Sequence, residues 1–551
     1  MTGQPNILFI STHDINPDLS CYAGVWPGAE YAHTPNLDKL AAEGARFDQA
    51  YATTPVCAPS RSAIMTGMFP TAIGTMHMRT HAVPPPEVHV FTEYLREAGY
   101  YCTNNFFTDF QFKVPVTAFD DCSFTAHWRN RPNPDQPFFA AFHGMVTHES
   151  QVYVGEEEYQ KNTARLTPEE RHDPTAAPIP PYYPDSPVFR KAFAQYSDNI
   201  TAMDYWVGDF LKQLEEDGLA DNTLVVFWSD HGRGFPRAKR WPYEAGLRVP
   251  LIVRWPGKIQ PGTAYQDPVY LMDLAATLLN AAGVSVPGYM HARPLFDEQG
   301  RFAPARPLIF GGRDRMDEQE DTTRSVRDGR FHYLRNFHPD RPYFQYNDYG
   351  EHMATWQELR TLRFRESQLL GMGENHHLLN ETQRPFLAAH KPEDELYDLL
   401  ADPHETHNLA DDPRYAAEVA RLRQAIEDWQ KEYGDLGMLP EEELVESWRP
   451  GGEMQPTATP DISIQAGMLV ASCQTEGASI GWTTDPPPDN PPAANQFIRA
   501  VGGPNSEGRH WQLYTGPVPV PEGQTVWVRA HRIGFRESAD VVISSEAAFS
   551  A

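Results

Sequence analysis

Short, largely apolar runs alternate with helical patterns over roughly the first 300 residues, and this alternation constrains the fold more than any other feature. The runs at 6–10, 138–142, 224–228 and 249–253 have the composition of strands that are covered on both faces. Thr34-Pro35 begins one helix, and apolar residues spaced three or four apart over 193–214 mark a longer one. The pattern predicts an α/β fold, with a large, mainly parallel or mixed sheet between helix layers.

The pattern changes after about residue 305, where Asp328-Gly329 between two strand-like runs predicts a hairpin and a helix follows near 413–433. Near the C-terminus, short strands lie between Pro-rich turns, which is typical of a β-sandwich. We expect that its tryptophans, Trp482, Trp511 and Trp527, serve packing against the enzyme or a second subunit more than sugar binding. The expected units are a catalytic domain over 1–305, an α+β subdomain over 306–447, a linker over 448–460 and a β-sandwich over 461–551.

The formal net charge of −28 argues against nucleic acid or an anionic membrane as a partner, so an anionic substrate would need a local cationic pocket. The five cysteines are too few and too scattered to form a disulfide framework. No stretch approaches the roughly 20 apolar residues that span a membrane. The N-terminus also lacks the pattern of a secretory signal. We therefore expect a cytoplasmic, soluble protein.

The segment Cys57-Ala58-Pro59-Ser60-Arg61 carries the strongest chemical signal in the chain. Pro59 is typical of a first helical turn and Gly67 of a helix end, so Cys57 lies at a predicted helix N-terminus. Free N–H groups there stabilise developing negative charge, and Arg61 lies on the same helix face. A buried structural cysteine is the alternative interpretation of Cys57 alone.

This segment resembles the Cys-x-Pro-Ser-Arg signature of formylglycine-dependent sulfatases, which are members of the alkaline phosphatase superfamily. The resemblance, which extends over roughly 5–435, implies that a formylglycine-generating enzyme oxidises Cys57 to an aldehyde. One hydroxyl of the hydrated aldehyde would attack sulfur, and the other would later expel sulfate. Such chemistry avoids an ordinary Ser or Cys sulfate ester, which would be slow to hydrolyse.

The resemblance also implies a metal site at two predicted strand ends, with His13, Asp14, Asp230, His231 and the modified Cys57 as ligands. His13 stands where sulfatases usually carry a first aspartate, and the pair Asp230-His231 also resembles the phosphonate-hydrolase element. The family implies calcium. Because imidazole nitrogen shifts the preference of a site toward other ions, manganese is the alternative.

Several further residues match sulfatase positions that bind the substrate. His148 matches the histidine that binds sulfate and could protonate the leaving group, while Lys239 matches a sulfate-binding lysine. Arg240 is a neighbouring candidate for substrate binding. His143 is closer to its strand, and we expect it to be a buried, hydrogen-bonded histidine.

One sulfatase position is substituted, because Phe107 stands where many relatives carry a lysine. Thr108 and Asp109, which follow it, are predicted to bind substrate. A missing cation would weaken stabilisation of the anion, unless Arg79 or Lys113 supplies a replacement.

The sequence therefore predicts hydrolysis of a sulfate ester or N-sulfate on a small aryl or sugar substrate. Segment 342–362, with several aromatic residues that could line the pocket or a core, and Thr147-His148 are similar to the sulfamidase and arylsulfatase branch. A phosphonate monoester or phosphodiester hydrolase with the same nucleophile is the alternative. An inactive, carbohydrate-binding homologue is a third hypothesis, and the sequence leaves a homo-oligomer open.

Overall fold

A computed structural model describes residues 4–374, 376–488 and 508–545. In these residues the strands are β1 Asn6–Thr12, β2 Ala45–Phe47, β3 Ala50–Tyr51, β4 Tyr101–Asn105, β5 Asp121–Cys122, β6 Phe138–His143, β7 Thr223–Ser229, β8 Arg248–Val249, β9 Leu251–Arg254, β10 Thr263–Tyr265, β11 Val269–Tyr270, β12 Ile309–Arg313, β13 Thr323–Arg327, β14 Phe331–Asn336, β15 Asp394–Asp398, β16 Asp461–Gln465, β17 Met468–Ser472, β18 Ser479–Thr483, β19 Gln512–Leu513, β20 Val518–Pro519, β21 Thr525–His531 and β22 Val541–Ser544. The α-helices are α1 Pro35–Glu43, α2 Cys57–Thr66, α3 Pro70–Ile73, α4 Phe91–Glu97, α5 Glu156–Asn162, α6 Pro187–Glu216, α7 Glu244–Leu247, α8 Asp273–Ala281, α9 Ala354–Gly371, α10 Ala416–Tyr433 and α11 Glu441–Trp448.

The central sheet has eight strands in the order β10-β2-β9-β7-β1-β6-β4-β5. From β7 to β5 all neighbours are parallel, whereas β9 runs antiparallel to both β7 and β2. The predicted mixed α/β sheet is thereby confirmed. The predicted strand at 249–253 is split at Pro250, which has no N–H to donate to a ladder, and β8 pairs in a separate small sheet.

Helices cover both faces of this sheet because alternate residues of the buried strands point to opposite sides. Leu8 and Ile10 of β1 belong to one apolar cluster, which includes residues of α1 and α6. Ile7 and Phe9 belong to the other, with residues of α2, α4 and α8. The structure confirms the predicted helices at Pro35 and over 193–214.

A smaller antiparallel sheet, β12-β13-β14-β15, follows the catalytic sheet. Strands β13 and β14 form the hairpin predicted around Asp328-Gly329. Helix α10 covers this sheet with Leu422 and Ile426, which pack in one cluster with Val326. These elements make up the predicted α+β part of the chain.

The C-terminal region contains two antiparallel sheets, β16-β17-β20 and β19-β18-β21-β22, around a core that includes Leu469, Val526 and Val528. It packs on the catalytic part of the chain, since Arg96 donates to the Trp511 carbonyl at 2.7 Å and Ile533 joins a core cluster of the central sheet. Trp511 is buried, so its ring is not a free surface for a sugar. Residues 489–507 and 546–551 of the predicted sandwich lie outside the described residues.

Among the described helices, none combines the length and the apolar character that crossing a membrane requires.

Candidate active site

Two neighbouring parallel strands and one helix bring the predicted nucleophile and metal ligands together. His13 and Asp14 follow β1, and Asp230 follows β7, whose last residue is paired with the last residue of β1. Cys57 is the first residue of α2, which ends at Gly67 in the left-handed conformation that favours glycine. All of these side chains are buried, as is His231.

We call His13, Asp14, Asp230 and His231 the acceptor half of the site. The Nδ1 atom of His231 lies 2.9 Å from the Gly232 carbonyl, to which it donates, so in the neutral form of the ring Nε2 carries a lone pair. That lone pair lies 3.2 Å from both Cys57 Sγ and Asp14 Oδ1. Among the described residues Asp14 Oδ1 has no hydrogen-bond partner, and the Cys57 thiol is the partner of His231 Nε2, so with a neutral His231 two buried acceptors lie side by side without a donor between them. Such an arrangement fits a cation.

Asp230 connects the acceptor half to α2. Its Oδ1 accepts hydrogen bonds from the backbone N–H groups of Asp14 and His231, at 3.2 and 3.1 Å. Its Oδ2 accepts one from Arg61 Nε at 3.0 Å and lies 3.2 Å from His13 Nδ1.

Arg61 also lies 3.0 Å from His13 Nε2 through its NH2 group. The tautomer of His13 with a proton on Nδ1 therefore has a partner at each ring nitrogen, Asp230 at Nδ1 and Arg61 at Nε2. Arg61 thus holds the acceptor half together, in addition to lying on the helix face of Cys57.

Charge interactions keep both carboxylates ionised. Burial opposes ionisation of Asp14 and Asp230, but Lys239 and the neighbouring histidines lower the pKa of Asp14. The positive charges of a protonated His231 and of Arg61 hold the pKa of Asp230 well below its ordinary value. Burial and Arg61 lower the pKa of His13 to about 4, and burial raises that of the Cys57 thiol. An unmodified Cys57 would therefore be a poor thiolate nucleophile.

Glu149, Lys239 and Arg240 form what we call the ion-paired half. Lys239 Nζ lies 2.8 Å from Asp14 Oδ2 and 2.7 Å from Glu149 Oε1. The two terminal nitrogens of Arg240 donate to the two oxygens of Glu149 at 2.8 and 2.9 Å. Here the chain supplies its own cations, which lie beside Asp14.

His148 lies between the two halves. Its Nδ1 accepts from the Ser150 backbone N–H at 3.3 Å and lies 2.9 Å from the Ser150 hydroxyl, so Nε2 carries the proton. Its ring is 5.8 Å from that of His13. His143 is partly buried and instead contacts Ser11 at 2.5 Å and Asn104 at 2.7 Å, so it is the hydrogen-bonded histidine that was expected there, although it is not fully buried.

Phe107 packs directly on the acceptor half. Its ring centroid lies 4.8 Å from that of His13 and 4.9 Å from the Arg61 guanidinium carbon. The Thr108 hydroxyl is buried and has no hydrogen-bond partner among the described residues. Asp109 is also buried and accepts from Arg79 at 3.2 Å.

The two candidate replacements for the missing lysine differ in position. Arg79 is half-exposed and tied to the segment that contains Phe107, through Asp109. Lys113 instead pairs at 2.9 Å with Glu537 of the C-terminal module. Arg79 is therefore the better candidate.

Comparison with known proteins identifies the family. A family model described as Sulfatase matches residues 5–131 and 114–284. The chain belongs to the sulfatase family. It is 38% identical, over 98% of its length and 91% of the relative, to an ulvan-active sulfatase of Formosa agariphila. It is 28% identical to human N-acetylgalactosamine-6-sulfatase, over 51% of this chain and 63% of that protein.

Solved structures agree on the fold. A structure described as a complex with its substrate D-glucosamine-2-N,6-O-disulfate has a TM-score of 0.54, at 22% identity, over 78% of this chain and 98% of that one. A phosphonate monoester hydrolase of Agrobacterium radiobacter has a TM-score of 0.56, at 17% identity, over 78% of this chain and 96% of that one. The protein is thus a sulfatase, an enzyme that hydrolyses sulfate esters, with an alkaline-phosphatase-like fold.

Two residues of this sulfatase site were not predicted from the sequence. The one sequence signal that could have identified Glu149 is its position as a carboxylate directly after His148. Tyr349, from the smaller subdomain, has its ring 6.3 Å from those of both His148 and Tyr153. Of the other aromatic residues in segment 342–362, Tyr343, Phe344 and Trp356 lie in the core, whereas Tyr346 is exposed.

Proposed function

We propose that this sulfatase removes sulfate esters from a sulfated polysaccharide of the ulvan type. The proposed nucleophile is formylglycine formed from Cys57, beside one divalent ion held by the acceptor half. The observation that carries the proposal is the pair of buried acceptors, His231 Nε2 and Asp14 Oδ1, 3.2 Å apart beside Cys57.

The residues that would hold the ion are His13, Asp14, Asp230 and residue 57, whose ligand atoms lie within 4.8 Å of one another. His231 is a further candidate, because its Nε2 lies 3.2 Å from Asp14 Oδ1. A bound divalent ion would acidify a nucleophilic hydroxyl and polarise the ester oxygen. Calcium is the ion that the family resemblance implies, and manganese is the alternative that the imidazole donor favours. Metal analysis of the purified protein distinguishes them.

The remaining side chains bind and orient the ester. Lys239 has three N–H donors, of which Asp14 and Glu149 take two, so that one is available to a sulfate oxygen. His148 Nε2–H donates to the oxygen that joins sulfur to the sugar. The free N–H groups at the start of α2 stabilise negative charge that develops at residue 57.

An aromatic rim supports a carbohydrate as the leaving group. Tyr349 and Tyr153 lie beside His148, and the Tyr153 ring is 6.0 Å from that of His352. Partly exposed rings of this kind stack on the apolar face of a sugar. The ulvan-active relative, similar over nearly the whole chain, supports the same class of substrate.

The test is release of sulfate from ulvan oligosaccharides by protein made together with a formylglycine-generating enzyme. We expect turnover of ulvan oligosaccharides and of 4-nitrophenyl sulfate, and far slower turnover of N-sulfated glucosamine and 4-nitrophenyl phenylphosphonate. Faster turnover of the phosphonate ester would favour the hydrolase alternative, and faster turnover of the N-sulfate a sulfamidase.

Mass spectrometry of the peptide that contains residue 57 tests the nucleophile separately. We expect an aldehyde there in the active protein, and no activity in the Cys57→Ala variant. A fully active protein with an unmodified thiol would refute the proposed nucleophile.

A further inference from the structure

Glu149 is a buried carboxylate that the sulfatase resemblance does not assign to any role. Its side chain contacts both cations of the ion-paired half, Lys239 at 2.7 Å and Arg240 at 2.8 and 2.9 Å. Its backbone N–H donates to Asp14 Oδ2 at 2.7 Å, so the residue is fixed at both ends.

The fold makes room for this carboxylate. A Cβ atom on Gly234 would lie 2.4 Å from Glu149 Cβ and 3.1 Å from Asp14 Oδ2. Only a glycine at position 234 therefore lets the Glu149 side chain approach Asp14 and Lys239 this closely. The position of the carboxylate is built into the loop that follows β7.

Glu149 also completes a balance of charge around the nucleophile. Among the described residues, the buried carboxylates there are Asp14, Asp230, Glu149 and Asp109, and the cations paired with them are Arg61, Lys239, Arg240 and Arg79. Because each carboxylate is matched by a cation, the chain itself brings no surplus positive charge to the ester.

We propose that Glu149 determines the charge selectivity of this site, favouring esters with one negative charge over phosphate monoesters with two. Glu149 repels each negative charge on a bound ester, so a dianion suffers twice the repulsion of a monoanion. The inference rests on the proposed function, because it takes the ester to be bound beside Lys239.

The experiment compares three 4-nitrophenyl esters at pH 8, where a phosphate monoester is mostly dianionic. The sulfate and the phenylphosphonate are monoanions. The phosphonate shares its charge with the sulfate and its phosphorus atom with the phosphate, so it separates the effect of charge from that of the central atom. For Glu149→Gln we expect kcat/KM for the phosphate to rise at least about tenfold relative to both monoanions. The absolute rate for the sulfate should fall, because Lys239 loses a partner.

Two further variants separate charge from structure. Glu149→Asp keeps the charge, so it should retain the wild-type ratio of sulfate to phosphate even if all rates fall. Glu244→Gln is a matched control, since Glu244 is a buried carboxylate that pairs with Arg248 at 3.5 Å and Arg327 at 3.1 Å, away from the nucleophile. We expect it to lower the melting temperature without changing the ratio.

Binding to Cys57→Ala protein gives a readout without turnover. When Glu149→Gln is added to this variant, calorimetry should show that the affinity for 4-nitrophenyl phosphate rises relative to that for 4-nitrophenyl sulfate. Equal changes in kcat/KM for the three esters in Glu149→Gln would overturn the proposal. An altered ratio of sulfate to phosphate turnover in Glu149→Asp would also overturn it. A wild-type protein that carries the aldehyde but does not hydrolyse the sulfate would instead contradict the proposed function.

Discussion

The two halves of the site are built from opposite arrangements of charge. In the acceptor half, His231 Nε2 and Asp14 Oδ1 face each other at 3.2 Å with no donor between them in the described structure. In the ion-paired half, Glu149 has a cation on both carboxylate oxygens. Asp14 joins the two, because its Oδ2 accepts from Lys239.

This difference shows which half needs a cation from outside. Unpaired buried acceptors are costly, so the acceptor half is stable only with a positive ion or with protons. The ion-paired half meets its own needs and can use spare N–H donors on an anion. We therefore propose that one half serves the nucleophile, and that the other holds and selects the ester.

The largest expected effect comes from breaking the acceptor half. Asp230→Asn removes a carboxylate that contacts His13 and Arg61, and kcat/KM for 4-nitrophenyl sulfate should fall at least about 10³-fold. Metal at a hundredfold excess over Kd should stabilise the wild type by about 2.7 kcal/mol, and the variant hardly at all. Asp321→Asn, which breaks a buried pair with Lys391, is the control and should keep the metal-dependent gain. A gain retained in Asp230→Asn would exclude Asp230 as a ligand.

A smaller effect is expected from His148, between the halves. His148→Ala should slow release of sulfate from a sugar by about 10²- to 10⁴-fold, because an alkoxide leaves poorly without a donor. Hydrolysis of 4-nitrophenyl sulfate should slow much less, since nitrophenolate is a good leaving group. Equal losses for the two substrates would show that His148 does not act on the leaving oxygen.

The next smaller effect is expected from Arg79, the candidate cation in place of the missing lysine, whose removal should change KM by about tenfold. Arg79→Met should raise KM for sulfated oligosaccharide by about tenfold, the value of one charge-assisted hydrogen bond. Lys113→Met removes an exposed pair with Glu537 and should leave KM unchanged. The opposite ranking would assign the cation to Lys113.

The smallest effect concerns Phe107, which packs on the acceptor half. Phe107→Leu keeps an apolar side chain but loses the ring contacts with Arg61 and His13, so stability should fall by about 1 kcal/mol. Thermal unfolding measures this, and kcat/KM should change less than about fivefold. A much larger loss of activity at normal stability would place Phe107 in direct contact with the substrate.

Much of the fold and half of the site could be predicted because the signals are local. Apolar runs predicted four of the eight strands of the central sheet, β1, β6, β7 and β9, and proline and glycine marked both ends of α2. Parallel strands end at one edge of a sheet, which brings Asp14 and Asp230 together beside Cys57.

Lys239 and Arg240 of the ion-paired half were predicted as site residues, but Glu149 and its pairing with them were not, since these contacts depend on how distant loops pack. Glu149 and Arg240 are separated by 91 positions, and nothing in either segment alone indicates the pairing. Tyr349 likewise reaches His148 from another subdomain. The apolar run that contains β9 would look the same in either direction, so its antiparallel orientation was not predicted.

Metal content of the purified protein tests the difference between the halves most directly. Elemental analysis should find one divalent ion per chain in the wild type, a loss of that ion in Asp230→Asn, and its retention in Glu149→Gln. A wild-type protein that is active without a bound divalent ion would contradict the account. So would an ion that is lost in Glu149→Gln but retained in Asp230→Asn.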